Sequence, residues 1–138
     1  MGPVTLVSSA EVRMNGTDRF DDGGLPWNEA LAQGMKSVRE EIAVVIAADL
    51  PRLGGDEVRK LVAAVPERGL AIARARDGGT NAVAMRPPGV MQTLFGEPSS
   101  AALHEEAARR AGLESVIVDL PGLAFDVDTP EDLAVWRS

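Results

Sequence analysis

Three carboxylates at two places in the chain have the type and setting to hold a divalent cation. Asp49 closes the apolar run Ile-Ala-Val-Val-Ile-Ala-Ala at residues 42–48, and Asp126 and Asp128 flank Val127 near the C-terminal end. Mg²⁺ needs one or two carboxylates and takes its remaining oxygens from water and substrate phosphates. Carboxylates that converge from two strand ends therefore suit phosphoryl or nucleotidyl transfer, in which the metal bridges phosphate oxygens and neutralises developing charge. Singly, each also has a plainer use: Asp49 as a solvated strand end, Asp126 or Asp128 as a cap for the helix that follows.

Two stretches have the composition of anion-binding loops. In Gly78-Gly79-Thr80-Asn81 consecutive glycines let backbone amides approach an anion, and Thr80 adds a hydroxyl donor. The same dipeptide also serves an ordinary hairpin. In Phe95-Gly96-Glu97-Pro98-Ser99-Ser100, the Gly96 amide and Ser99 stand before a helix whose N-terminus offers unsatisfied amides and a positive dipole end. A plain serine cap accounts for the serines equally well. His104, the only histidine, falls one turn inside that helix, where a solvated or packed role is the ordinary one. Asn28 reads as a helix cap or a ligand contact, with the cap favoured, and Trp27 and Trp136 read as packing residues.

The elements that must position these groups alternate along the chain, and alternation of strands with helices implies an α/β layered fold. Residues 42–51 read as a buried central strand, because an unbroken β-branched run is the mark of a strand covered on both faces, and Pro51 stops it. In open sheets of this kind ligands bind beyond the carboxyl ends of the strands, which is where Asp49 stands. Before it lie a short strand at residues 4–8, a polar loop over 10–24 and a helix over 28–39. After it the spacing predicts a helix over 57–65 capped at Gly55-Asp56, strands at 69–74 and 82–85 joined by a turn, and a break at Pro87-Pro88-Gly89. A helix over 101–111 closed by Gly112 and a strand over 115–120 follow. Thr129-Pro130-Glu131-Asp132 then carries an N-cap hydroxyl, a proline at the first helical position and acids in the first turn, which predicts a last helix.

With 138 residues the expectation is one domain over 1–138, large enough for a core. A net charge of −7, without a Lys/Arg cluster, argues against nucleic-acid binding but leaves room for a nucleotide held by amides, a few cations and a metal. No cysteine is present, so disulfides and thiolate metal sites are excluded. The absence of a signal-like N-terminus and of a long apolar run makes a cytoplasmic protein with no membrane association the expectation.

Taken in order, these residues resemble a known family, the CofC/FbiD guanylyltransferases, which activate 2-phospho-L-lactate or phosphoenolpyruvate with GTP during biosynthesis of coenzyme F-420. The resemblance runs from Gly24-Leu25 and Asn28-Glu29-Ala30-Leu31, through Asp49-Leu50-Pro51 and Asp77-Gly78-Gly79-Thr80-Asn81, to Phe95-Gly96 with Ser99 and His104. It ends at Asp126-Val127-Asp128-Thr129-Pro130-Glu131-Asp132-Leu133. It implies a three-layer nucleotidyltransferase fold like that of the GT-A glycosyltransferases, with a mixed, mostly parallel sheet. It also implies Asp49 and Asp126 as Mg²⁺ ligands, with Asp128 a weaker third, and Thr80, Gly96 and Ser99 as the groups that hold the phosphorylated acid, with Gly79, Asn81 and Asn28 beside them. Members of the family begin with a further strand and helix that carry a basic loop for the triphosphate, and the resemblance implies that the sequence as given starts at the family's second strand. Pro26-Trp27 before Asn28 also departs from the family's Gly-Leu-Asn pattern. The expectations are therefore a guanylyltransferase with GTP and either acid as substrates, an N-terminally truncated homologue that binds the acid without turnover, or another GT-A-like nucleotidyl- or glycosyltransferase. Exposed sheet surface adds a homodimer to the possible partners.

Overall fold

The computed structural model describes residues 5–8, 18–21, 26–46 and 55–121. Its elements in chain order are strands β1 (Thr5–Ser8) and β2 (Asp18–Asp21), helix α1 (Trp27–Met35), strand β3 (Ala43–Ile46), helix α2 (Gly55–Ala63), strands β4 (Gly69–Arg74) and β5 (Thr80–Arg86), helix α3 (Ser100–Arg110) and strand β6 (Glu114–Val118). β1 and β2 pair in parallel, and the other four strands form a sheet in the order β3-β5-β4-β6. β5 runs against both its neighbours while β4 and β6 are parallel, so the sheet is mixed, as expected. The strand β2 corrects the reading of residues 10–24 as a loop: Arg19-Phe20 stand opposite Leu6-Val7 in the ladder, and a single aromatic in a polar run is too little alternation to announce a strand.

Helices cover both faces of the four-stranded sheet. On one face Leu31 and Met35 of α1 and Ala101 and Ala108 of α3 pack on Leu70, Ile72, Val83 and Met85. On the other, Leu61 of α2 and Val65 pack on Ala71, Ala73, Ala82 and Ala84. β4 and β5 thus alternate large and small apolar residues, and the small side lets α2 seat close to the sheet. Gly69 starts β4 where a Cβ would stand 1.9 Å from the Glu114 carbonyl oxygen, so only glycine permits the parallel approach of β6.

The expected central strand is a second correction. β3 stands at one end of the described strand order, and three of its four residues are half-buried. Its unbroken run still reports cover on both faces: Ile42, Val44 and Ile46 pack with the α2 cluster and Val45 with the α1/α3 cluster. The fully buried centre is instead β4 and β5. Helix α1 begins one residue and α2 two residues earlier than read, and α1 stops at Met35 rather than running to 39. The strand at 69–74 has the expected bounds, β5 ends at Arg86 just before Pro87, and Gly112 follows α3 with a φ of 72°. Among the described residues no helix is long and apolar enough to cross a membrane. Asp49, Asp126, Asp128, the expected last helix and Trp136 lie outside the described residues.

Candidate active site

The turn before β5 and the loop before α3 meet at the end of the sheet where α3 begins. The β4–β5 hairpin closes with Ala75 N–H donating to the Gly79 carbonyl (2.8 Å) and Gly78 N–H donating to the Ala75 carbonyl (3.0 Å). The Asp77 carboxylate accepts from Gly79 N–H at 2.9 Å, which holds the turn from inside. Gly78 has a φ of 88°, a conformation that suits glycine, and its carbonyl accepts from Ala101 N–H on α3 at 3.3 Å. A Cβ on Gly78 would come within 3.9 Å of Ser99 Cα and Oγ, so the turn lies against the start of α3.

Thr80 follows, and a β-bulge decides which way it faces. Ala73 pairs with Ala82 but Arg74 pairs with Thr80, so Asn81 is the extra residue in the ladder. Without the bulge, strict alternation through Asn81 would set Thr80 on the α2 face with Ala82 and Ala84. With it, Thr80 shares the α1/α3 face, and Ser100 Oγ donates to Thr80 Oγ1 at 2.8 Å. Asn81 is itself buried in β5.

His104, one turn along α3, is completely buried, and its ring is tied at both nitrogens. Nδ1 lies 2.8 Å from the Ser100 carbonyl oxygen, which can only accept, so Nδ1 carries a proton. Nε2 lies 2.8 Å from Leu94 N–H, which can only donate, so Nε2 does not. The histidine is therefore the neutral Nδ1–H tautomer. Burial pushes its pKa below the ordinary value, and the Ser100 carbonyl acts in the opposite direction. Thr80 Oγ1 stands 3.2 Å from the same Nδ1.

Asn28 holds the loop from the other side. Its Oδ1 accepts from Thr93 Oγ1 and from Phe95 N–H, both at 2.9 Å, and its Nδ2 donates to the Phe95 carbonyl at 3.0 Å. The favoured reading of Asn28 as a cap is corrected: Pro26 occupies the N-cap position of α1 and Asn28 lies within the helix. Residues 93–95 are thus pinned by α1 and α3 together. Beyond the pins, Gly96 is exposed with a φ of 89°, and nothing lies within 4 Å of where its Cβ would be. Trp27 stacks on Phe95 (centroids 5.4 Å apart, 23° between planes), and Phe95 meets His104 edge-on at 5.7 Å. Trp27 remains 53% exposed, so its expected packing role leaves one face open.

Of the sequence-predicted residues, Gly79, Thr80, Gly96, Ser99 and Asn28 are brought to one end of the sheet. Ser99 takes the N-cap position of α3 in the left-handed conformation (φ 56°, ψ 34°) without a side-chain capping bond, so it is not a conventional serine cap. The helix end is less open than the sequence suggested, since Ser100 N–H donates to the Glu97 carbonyl (3.1 Å) and Ala101 N–H to Gly78. Hydroxyls and the open backbone at Gly96, rather than a full set of helix amides, are what this end presents. Thr93 escaped the sequence reading, and Ser100 entered it only as a candidate helix cap. The Ser100–His104 spacing of four, which puts both on one helix face, was the available signal for Ser100. Among the described residues no group of three or more Asp, Glu or His could hold a metal ion.

A family model described as guanylyl transferase CofC like matches residues 7–135. A phosphoenolpyruvate guanylyltransferase of Sphaerobacter thermophilus is 46% identical over 107 residues, covering 77% of this chain and 49% of that protein. One from Rubrobacter xylanophilus is 36% identical over 129 residues, covering 90% and 62%. A 2-phospho-L-lactate guanylyltransferase of Haloarcula marismortui is 37% identical over 116 residues, covering 83% and 53%. The chain thus spans about half to three-fifths of the length of these relatives. Among solved structures, a protein of Desulfovibrio desulfuricans G20 described as a nucleotide-diphospho-sugar transferase superposes with a TM-score of 0.71 at 26% identity, over 87% of this chain and 54% of that one. The α/β fold with its mixed sheet is that of the nucleotide-sugar transferases. Since the match extends through nearly all of the sequence and takes in both loops that meet at Thr80, the chain belongs to the CofC-like guanylyl transferase family.

Proposed function

We propose that the chain is a guanylyltransferase: GMP moves from GTP to the phosphate of a three-carbon phospho-acid, and pyrophosphate leaves. The observation that carries this reading is the packing of the Gly78–Thr80 turn against the start of α3, with Ser100 Oγ bonded to Thr80, Ser99 beside Gly78 and open space at Gly96, in a chain of the guanylyl transferase family. Relatives named for phosphoenolpyruvate make it the first acceptor to test, with 2-phospho-L-lactate second. The pathway proposed is coenzyme F-420 biosynthesis.

The chemistry asks little of the protein beyond placement. A phosphate oxygen of the acid attacks the α-phosphorus of GTP, one P–O bond forms, the bond to the pyrophosphate oxygen breaks, and the electron pair leaves with pyrophosphate. The nucleophile is already anionic, so no general base is required, and alignment and charge neutralisation dominate. The Thr80 hydroxyl, Ser99 and the Gly96 backbone hold the acid, and Gly79 and Asn81 shape the turn and bulge that present Thr80. Asn28 acts at one remove, through residues 93–95. Asp49 and Asp126, with Asp128 third, are the proposed Mg²⁺ ligands on the strength of residue type and place in the family pattern; the ion would neutralise phosphate charge when bound.

The test is incubation of the chain with GTP, Mg²⁺ and each acid in turn, with mass spectrometry of the product and a pyrophosphate assay. A guanylylated acid with stoichiometric pyrophosphate is the expected result. Absence of product together with absence of acid binding would sink the reading. Retained binding without product would reduce it to acceptor recognition.

A further inference from the structure

We propose that His104 is a positioning residue that sets the hydrogen-bond polarity of Thr80, so that Thr80 meets the acceptor's anionic group as a donor. This rests on the functional reading above for the identity of the ligand, but the polarity itself follows from the bonding partners.

The argument is a count of lone pairs. A threonine hydroxyl has one proton and two acceptor positions. Ser100 Oγ fills one acceptor position of Thr80 Oγ1 at 2.8 Å. The second faces His104 Nδ1 at 3.2 Å, and that nitrogen is obliged to carry its proton because the Ser100 carbonyl, 2.8 Å away, accepts from it. Thr80 therefore cannot donate to His104, and its own proton is left for a third group. In the opposite tautomer Nδ1 would be a lone pair, the Thr80 proton would turn inward to it, and the hydroxyl would show a lone pair outward, which repels an anion. What forbids that tautomer is the Leu94 amide, which donates to Nε2 at 2.8 Å. One buried ring thus reads the position of the 93–95 loop and converts it into the orientation of a hydroxyl on a neighbouring strand. Such polarity is set before ligand arrives, so a bound anion need not reorient the donor.

The chain has a single histidine, so its ring ¹⁵N spectrum is unambiguous. In ¹⁵N-labelled wild type near neutral pH the expected spectrum is a neutral ring protonated at Nδ1; protonation at Nε2 instead would overturn the proposal without any variant. Titration with phosphoenolpyruvate then tests the consequence. Thr80→Val is expected to lose at least about ten-fold in affinity, the order of one hydrogen bond to a charged group, and Thr80→Ser, which keeps the hydroxyl, to lose less. His104→Phe is expected to lose a similar factor alone and nothing further in the Thr80→Val background, because it acts through the same hydroxyl. His104→Asn places an amide N–H near the position of Nδ1 and is expected to recover more affinity than His104→Gln, which restores only the acceptor toward Leu94. Losses that simply add, or a His104→Phe protein that binds like wild type, would overturn the positioning role. A wild type that holds the stated tautomer but binds no phosphoenolpyruvate would instead sink the functional reading, and with it the ligand-facing half of this proposal.

Discussion

The two faces of the sheet are built on different terms. The α2 face is apolar and small: Leu61 and Val65 seat on four alanines, and the stabilisation is area removed from water. The α1/α3 face carries larger side chains, and it interrupts them with Thr80, Thr93, Ser100 and His104, all buried. Burying such groups is unfavourable unless they are bonded, and here they bond to one another, to Asn28 and to the Leu94 amide. One face therefore contributes stability alone. The other gives up some of it to fix a loop that an all-apolar layer would leave to choose its own conformation.

That contrast can be broken from either side. Leu61→Ala on the α2 face is expected to have the largest effect on stability, a loss of about 2–5 kcal/mol in denaturant unfolding, because the site is fully buried. Acid affinity measured on the remaining folded protein should not change; a selective loss of binding would show the faces to be coupled. Asn28→Ala on the other face is expected to cost about 1–3 kcal/mol by leaving Thr93 and Phe95 without their partner, and in addition to weaken phosphoenolpyruvate binding. Equal stability loss with unchanged binding would reduce Asn28 to packing.

Acidification probes the polar face specifically. The folded-state pKa of His104 is depressed below about 6.5, so the unfolded chain binds the proton more readily and stability rises with pH through that window. The histidine's contribution is complete above the unfolded value and is lost as pH falls through the folded one. A His104→Phe chain should lack this part of the pH dependence, which urea midpoints collected from neutral pH downward would check. The smallest effect is expected at the exposed end of β4: Arg74 forms a paired contact with Asp119 in which both side chains are largely exposed, and Arg74→Ala should leave the urea midpoint within error of wild type.

How much of this the sequence disclosed depended on range. β4 was readable to the residue, because its apolar block is bounded by Gly69 and by the Arg76-Asp77-Gly78 turn. The alternation of layers and the approach of the Gly78–Thr80 turn to the Gly96–Ser99 loop were legible as pattern and as family resemblance. The place of β3 in the strand order was not, since a β-branched run reports cover on both faces and is silent about its neighbours. Nor was Asn28: its partners are 65 and 67 residues away, and a residue near a helix start looks the same whether it caps the helix or braces a distant loop. The Thr80 orientation was hidden for a subtler reason, as period-two reasoning assigns it to the wrong side.

The bulge at Asn81 also predicts how the hairpin tolerates changes in length. Arg74 back to Leu70 is four steps on one strand, while Thr80 on to Met85 is five on the other, so the hairpin holds one residue of slack. A one-residue deletion within the turn at 76–79 can draw on that slack, which irons out the bulge, pulls Thr80 into the turn and leaves Asn81 opposite Arg74. Deleting Asn81 itself leaves Thr80 opposite Arg74 on a straightened strand. Two deletions of equal size, a few residues apart, are thus expected to leave similar folds and opposite outcomes for the site.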